Sequence, residues 1–238
     1  MSYWWLFLFC PVSYLIGGIN FSIIISRNIL KDNVRSHGSG NPGATNMLRS
    51  YGFKWGLLVL IGDMLKAAIP AFIGFWCFGD HNYSLNPFAS AISGDGLIGL
   101  YSCGLSAVVG HCFPVFYHFH GGKGVSSVVG VFAVANPVIG LGGLAFGMVL
   151  GMIFEYASVS SITFITIAAL WQGFLLSHGL TVSIVLAVFY FLVLFTHRKN
   201  IYRLLAGCEN RASLFKKRSK YAQNKIPIKH DREQNLSN

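Results

Sequence analysis

The sequence predicts an all-α membrane protein, a polytopic bundle of about seven transmembrane helices. Hydrophobic residues make up 53% of the 238 residues and charged residues only 11%, far below the roughly 25% charged residues of a typical soluble domain. Apolar stretches long enough to cross a bilayer recur along the chain. The five cysteines form no CxxC pair and mostly lie within apolar stretches, so we interpret them as small core residues rather than disulfides or metal ligands.

The net charge of +10 does not indicate nucleic-acid binding, because the cations are confined to three parts of the chain. Every Lys and Arg lies in residues 27–66, at Lys123, or in residues 198–232. Cytoplasmic segments of membrane proteins carry such an excess of Lys and Arg, so these three regions are predicted to face the cytoplasm. No cation precedes the first apolar segment, which is not typical of a signal peptide and predicts an N-terminus outside.

The first two predicted crossings cover about residues 3–25 and 55–78. The second contains Asp63 and Lys66, which share a helix face at a spacing of three and can neutralise each other. Charged groups at membrane depth normally face the bundle interior or a polar cavity. The link over residues 79–96 that follows has acidic and amide side chains but no cation, as expected of an outer loop.

Later apolar segments are shorter, and the number of crossings depends on them. The third crossing covers about residues 97–116, and the stretch over 125–136 would reach roughly 18 Å as a helix, short of a roughly 30 Å hydrocarbon core. Segments over about 138–154, 162–176 and 180–195 follow. With the N-terminus outside and the basic tail inside, the number must be odd: seven with the short helix, or five if a late segment is re-entrant.

Three glycines, Gly143, Gly147 and Gly151, recur every four residues within the segment over 138–154. This spacing favours close contact between two helices.

A glycine-rich segment, GSGNPGATN over residues 38–46, separates the first two crossings. Its glycines and proline predict an irregular loop with accessible backbone N–H groups. Thr45 or Asn46 can begin the next helix, and a helix start is a natural anion site. A plain hairpin is the alternative, but Arg35 before it, Arg49 after it and a second loop of like chemistry favour phosphate binding.

The second polar loop holds Lys123 between Gly121, Gly122 and Gly124. Glycines let both backbone N–H groups and the ammonium approach one phosphate or acyl phosphate. The loop is not a Walker A motif, because a glycine follows the lysine. A lysine that only anchors the topology is the alternative.

Three histidines, His111, His118 and His120, lie near this loop. Because no Asp, Glu or Cys completes a usual catalytic metal site with them, we expect no metal. His111 is predicted to be a hydrogen-bonding or capping residue beside Pro114.

A third polar group follows the last crossing. His197, Asn200 and Arg203 recur at a spacing of three and line one helix face, where they offer amide and cationic donors to an anionic, hydroxyl-bearing substrate. For Arg198 and Lys199, an amphipathic basic helix on anionic lipid is the alternative.

Six motifs between residues 3 and 210 carry a family resemblance: SGNPGATN at 39–46, DMLK at 63–66, GHCFP at 110–114, GGKG at 121–124, SVSS at 158–161, and the segment from His197 to Glu209. Together they resemble the bacterial integral-membrane acyl-phosphate:glycerol-3-phosphate acyltransferase family. Two positions depart from that family: Ala67 stands where a glycine is frequent, and Cys208 where a polar residue is common.

The resemblance implies transfer of a long-chain acyl group from acyl phosphate to the sn-1 hydroxyl of glycerol 3-phosphate, the first step of phospholipid synthesis, giving lysophosphatidate and phosphate. It implies no cofactor, no nucleic acid, and an active site on the cytoplasmic face of the bacterial inner membrane, in contact with membrane lipid. Contact with the enzyme that produces acyl phosphate stays open.

Residue roles follow from the resemblance and from the chemistry above. The catalytic set is Ser39, Lys123, His197 and Asn200. Phosphate and substrate contacts are assigned to Gly40, Asn41, Gly43, Thr45, Asn46, Arg49, Gly121, Gly122, Gly124 and Arg203. Supporting residues are Asp63, Lys66, His111, Ser158, Ser161 and Glu209.

The sequence contains no His-x4-Asp pair and no visible Ser-His-Asp or Cys-His set, which argues against a covalent acyl-enzyme. Acyl phosphate is already activated, so positioning and charge stabilisation are sufficient. The proton acceptor is either the substrate's own phosphate or His197. Residues 1–210 are predicted to form the enzyme domain, and residues 211–238 a basic tail that is disordered or membrane-associated.

Two other functions are alternatives. A transporter or flippase of an anionic phospholipid precursor would need cations facing both sides of the membrane, whereas those here are one-sided. A non-enzymatic scaffold would depend on the tail.

Overall fold

The computed structural model describes residues 3–79, 94–171 and 180–210. Within them the chain is helical, which confirms the predicted all-α class. The predictions for the links over residues 80–93 and 172–179 and for the tail over 211–238 lie outside the described residues.

The described residues contain nine α-helices: α1 Leu6–Gly17, α2 Phe21–Ile24, α3 Ala44–Tyr51, α4 Phe53–Phe78, α5 Gly94–Cys112, α6 Val125–Ala135, α7 Gly143–Phe154, α8 Ala157–Leu170 and α9 Leu180–Leu205. Short 3-10 turns cover Tyr3–Trp5, Val34–Ser36 and Val115–Tyr117, and π-helical turns cover Ile25–Ile29 and Val138–Gly142.

Four apolar helical segments in the described residues have the length of a membrane span: Leu6–Ile29, Phe53–Phe78, Gly96–Tyr117 and Leu180–Leu205. Val125–Ala135, Val138–Phe154 and Ala157–Leu170 are apolar but shorter. The choice between seven and five crossings, and the side on which each terminus lies, therefore stay predictions.

The first predicted crossing is broken in the middle. Helix α1 ends at Gly17, and Asn20 adopts an extended backbone (φ −103°, ψ 100°) and caps α2 through its side chain, whose Oδ1 accepts from Ile23 N at 3.1 Å. An asparagine within an apolar segment competes for backbone hydrogen bonds, which favours a helix start over a helix interior.

Glycines bring α1, α4 and α5 into backbone contact. A Cβ added at Gly17 would lie 2.0 Å from the carbonyl oxygen of Ala107, and one at Gly74 would lie 2.3 Å from that of Gly99. The core on the other side of α5 is aromatic, with Tyr101 against the rings of Phe132 and Phe189. Such small-residue contacts are typical of helix association in lipid.

Helices α7 and α8 form an antiparallel pair joined at Glu155, whose positive φ of 60° ends α7. A Cβ added at Gly147 would lie 3.1 Å from Ser160 Oγ, and one at Gly143 only 2.7 Å from the ring of Phe164. The predicted helix contact at the four-residue glycine spacing is confirmed.

Helix α9 is longer than the sequence predicts. The expected crossing ended near Phe195, but the helix continues to Leu205 because no glycine or proline intervenes before Gly207, which takes a positive φ of 67°. The last turns of this one helix therefore carry the predicted polar group.

Candidate functional site

The glycine-rich loop, called here the Ser39 loop (residues 38–46), is organised around the side chain of Asn46. Its Oδ1 accepts from Ser39 N at 3.0 Å, and its Nδ2 donates to the carbonyls of Val34 and His37 at 3.0 and 3.1 Å. The residue is 2% exposed. Asn46 is predicted to contact phosphate, but in the structure its amide is directed into the loop, where it fixes the backbone.

The outer surface of the Ser39 loop is open. Ser39 and Thr45 are exposed, as is Arg49 one turn further along α3. Gly43 is the N-cap of α3, and no side chain from the described residues caps it. The first N–H groups of α3 therefore have no side-chain cap among the described residues, and such groups are donors for an anion.

Gly40 has a positive φ of 70°, a conformation that glycine adopts without cost. The loop backbone depends on it at this tight bend. Asn41 is half-buried beside it.

The second loop, called the Lys123 loop (residues 118–124), lies on the end of α5. Gly121 N donates to Cys112 O and Gly122 N to His111 O, both at 3.1 Å. A Cβ added at Gly122 would lie 2.2 Å from His111 Nε2. Gly124 has a positive φ of 85° and precedes α6. The glycines thus let the loop backbone lie directly on the helix end.

Lys123 is held between the Lys123 loop and α9. Its ammonium donates to Asn200 Oδ1 at 2.7 Å, and its carbonyl accepts from Thr196 Oγ1 at 3.0 Å. Burial lowers the pKa of this ammonium to about 8; the carboxylate of Glu209 opposes the fall, and nearby arginines reinforce it. A partly desolvated cation of this kind attracts an anion strongly.

Glu209 links the residues around Lys123. Its carboxylate accepts from Asn200 Nδ2 at 2.6 Å, from Arg203 Nε at 2.7 Å and from Ser158 Oγ at 3.2 Å. Burial raises the pKa of this carboxyl, but the hydrogen bonds from Arg203 and Asn200 outweigh burial and lower it. The ionised carboxylate therefore joins α8 to the end of α9.

Ser161 does not join this network, because its Oγ donates to Ala157 O within α8 at 2.8 Å.

His197 is 1% exposed and has a defined tautomer. Its Nδ1 lies 2.8 Å from the carbonyl oxygen of Val193. Since a carbonyl only accepts, Nδ1 carries the proton, and Nε2 of the neutral ring is left as a proton acceptor.

Beneath both loops lies a buried charged cluster on α4 and α5. Lys66 Nζ is 2.8 Å from Asp63 Oδ1, which confirms the predicted ion pair, and His111 Nδ1 lies 3.6 Å from the same oxygen. Lys66 also donates to the carbonyl of Ile19 at 2.6 Å, at the break in the first crossing.

The turn that precedes the Ser39 loop contacts the Lys123 loop. Arg35 donates from Nη2 to His120 O, and its guanidinium lies 5.8 Å from the centre of the Tyr117 ring. The structure therefore places the Ser39 loop, the Lys123 loop and the end of α9 at one end of the bundle.

Three residues with clear roles here were not singled out from the sequence. Asn20 Nδ2 donates to Pro42 O at 3.3 Å, Thr196 binds the Lys123 carbonyl, and Ser127 Oγ donates to Asp63 O at 3.0 Å. Asn20 offered only the signal of one amide in an apolar segment, Ser127 is one of two adjacent serines, and Thr196 directly precedes the polar group that begins at His197.

Comparison with known proteins agrees with this geometry. The family model described as glycerol-3-phosphate acyltransferase matches residues 7–207. The glycerol-3-phosphate acyltransferase of Paraburkholderia phytofirmans is 36% identical over 201 residues, 84% of this chain and 87% of the relative. That of Thermoanaerobacter pseudethanolicus is 37% identical over 205 residues, 84% of this chain and 92% of the relative.

A solved structure is similar as well. The crystal structure of PlsY (YgiH), an integral membrane glycerol 3-phosphate acyltransferase, in its glycerol 3-phosphate form superposes with a TM-score of 0.74 at 34% identity. It covers 87% of this chain and 94% of its own. The lysophosphatidic acid form of the same enzyme gives a TM-score of 0.73.

Proposed function

The chain belongs to the glycerol-3-phosphate acyltransferase family, and from that premise we propose that it acylates the sn-1 hydroxyl of glycerol 3-phosphate with acyl phosphate as donor. The products are lysophosphatidate and inorganic phosphate. The observation that carries the proposal is the partly desolvated Lys123 ammonium, held on Asn200 beside the tautomerically fixed His197.

The substrates bring two phosphates, and the site offers two groups of donors. The Ser39 loop presents the Ser39 hydroxyl, loop N–H groups and the uncapped start of α3, and the Lys123 loop presents the ammonium. Arg49 and Arg203 lie near enough to Lys123 to lower its pKa. Lys123, Arg49 and Arg203 are cationic, so they can bind the phosphate groups through charge-assisted hydrogen bonds.

The reaction requires one new bond and one broken bond. The hydroxyl oxygen of glycerol 3-phosphate attacks the acyl carbon, and the bond from that carbon to the phosphate oxygen breaks. The hydroxyl proton passes to His197 Nε2 or to the phosphate of the substrate, and the leaving phosphate takes the electron pair. Lys123 and the uncapped N–H groups at the start of α3 stabilise the charge that develops on the carbonyl and phosphate oxygens.

Because the donor is already activated, we propose direct transfer with no acyl-enzyme. Most of the rate enhancement then comes from holding the two substrates in contact, which contributes on the order of 7–11 kcal/mol in well-oriented reactions. The acyl chain lies between the helices and the lipid, with its reacting end at the cytoplasmic surface of the bacterial inner membrane.

An assay of the purified protein in lipid nanodiscs tests the donor. We expect lysophosphatidate from glycerol 3-phosphate with palmitoyl phosphate and none with palmitoyl-CoA; product from the CoA ester alone would refute the assignment.

Lys123→Met keeps the stem length and removes the charge, and is expected to abolish turnover. Lys54→Met, the same change on the exposed start of α4, is the matched control and is expected to retain it.

Sidedness needs a separate experiment. Single cysteines at Ser36 and His118, both exposed and next to the two loops, are expected to react with an impermeant maleimide only from the cytoplasmic side. Reaction from opposite sides would contradict the proposed topology and the common site.

A further inference from the structure

The buried pair Asp63 and Lys66 contacts more than its own helix. Both side chains are almost fully buried, at 1% and 3% exposure, with 2.8 Å between Lys66 Nζ and Asp63 Oδ1. Replacing a buried ion pair by apolar residues of similar volume often leaves the stability of a protein unchanged or raises it. A contribution to stability therefore does not explain why Asp63 and Lys66 are buried here. Each partner instead reaches one of the two loops.

Lys66 reaches the Ser39 loop through the break in the first crossing. Its ammonium donates to the carbonyl of Ile19 at 2.6 Å. The next residue, Asn20, caps α2 with its Oδ1 and donates from Nδ2 to Pro42 O at 3.3 Å, inside the Ser39 loop. The position of Pro42 therefore depends on where Lys66 holds the broken helix.

Asp63 reaches the Lys123 loop from both sides. Its carboxylate lies 3.6 Å from His111 Nδ1, and Gly122 is seated on His111 through an N–H···O bond of 3.1 Å and close contact with the ring. Its backbone carbonyl accepts from Ser127 Oγ at 3.0 Å, in the first turn after the loop. The residues before and after Lys123 are thus both tied to Asp63.

We propose that Asp63 and Lys66 form a positioning pair that sets the distance between the buried ends of the Ser39 loop and the Lys123 loop. A separate contact at the surface, from Arg35 to the carbonyl of His120, joins the turn before the Ser39 loop to the Lys123 loop. This inference rests on the proposed function, in which the two loops hold the phosphates of the two substrates. A displacement of about 1 Å at a reacting centre can cost on the order of 100-fold in rate. A fixed distance between the two loops therefore matters for catalysis, and the buried ion pair holds that distance.

The test compares two single variants with the double variant. Asp63→Asn and Lys66→Met each leave one buried charge without its partner, and each is expected to lose thermal stability in detergent. The double variant is neutral and is expected to recover most of that stability. If the two residues only neutralise each other, the double variant should also recover the wild-type KM values. If they position the loops, it should not, and we expect its KM for both substrates to stay raised roughly tenfold or more.

The spacing can be measured without any catalysis. Spin labels at the exposed positions Ser36 and His118, with Cys10, Cys77 and Cys208 replaced by Ala, report the distance between the loops. The double variant is expected to broaden the distance distribution, and Lys54→Met to leave it unchanged. A narrow, wild-type distribution together with wild-type KM values in the double variant would overturn the proposal.

If the double variant does not fold, a different substitution tests the same proposal. Asn20→Ser retains an oxygen that can cap α2 but does not reach Pro42. We expect a KM at least threefold higher with little change in melting temperature, and unchanged KM and loop distance would overturn the proposal. If the wild-type protein shows no acyl transfer, the proposed function fails, yet the distance measurement still decides on the positioning pair.

Discussion

The charge of Lys123 is expected to control the pH dependence of kcat/KM, and substitution of Glu209 is expected to shift that dependence. The ammonium has a pKa of about 8, so it is protonated and active below that pH and neutral above it. We expect kcat/KM, which reports the free enzyme, to be level between pH 7 and about 8 and then to fall about tenfold per pH unit.

The variant Glu209→Gln removes the carboxylate that, among the described residues, raises the pKa of Lys123. Asn200 bridges the two charges by hydrogen bonds of 2.7 and 2.6 Å. An opposite charge at such short range favours the charged form of a group and shifts its pKa by roughly 1–3 units. Loss of the Glu209 charge is therefore expected to lower the pKa of Lys123 by about one unit.

The expected result is therefore an inflection in kcat/KM near pH 7 in the variant. The measurement uses saturating acyl phosphate and limiting glycerol 3-phosphate above pH 6.5, where the substrate phosphate has largely lost its second proton. Glu155→Gln, the same change at the exposed end of α7, is the control and should keep the wild-type profile. An inflection that stays at the wild-type pH in Glu209→Gln, or a rate that rises with pH, would refute the role of the Lys123 cation.

Three further predictions concern the loops, the base and the tail. Gly122→Ala is expected to raise the KM for glycerol 3-phosphate at least tenfold without unfolding the protein, because its Cβ would lie 2.2 Å from His111 Nε2; an unchanged KM would contradict the seating of the loop. His197→Ala is expected to lower kcat by roughly 10²–10⁴-fold with little change in KM if Nε2 is the general base, whereas a loss below tenfold would assign the proton to the substrate phosphate. Removal of residues 211–238 is expected to leave most turnover intact in nanodiscs, and complete loss of turnover would contradict the assignment of the enzyme to residues 1–210.

Local patterns in the sequence predicted the local features well. The spacing of three between Asp63 and Lys66 and the four-residue glycine spacing in α7 each describe one helix, and the structure has both. Irregular backbone around residues 38–46 also followed from glycine and proline alone.

Features that depend on distant parts of the chain could not be predicted. Lys123 and Asn200 are 77 residues apart, and no periodicity relates them. Asn46 is predicted to contact phosphate because it lies in the glycine-rich loop at a helix start, yet only the folded loop shows the two carbonyls that take its N–H groups. Likewise Asn20 looked like one polar residue in a crossing, and its position at a helix break depends on the packing of Lys66 against Ile19.

The unbroken helix α9 determines how far from the lipid the candidate site lies. Its 26 residues extend about 39 Å, roughly 9 Å more than the hydrocarbon of an average bilayer is thick. His197 and Asn200 lie on the final turns of this rod, so their height above the acyl region is fixed by the rod's tilt. Under the proposed function, the acyl donor has to rise from the leaflet until its carbonyl reaches that level, and a thinner or thicker membrane would change how much of its chain stays immersed.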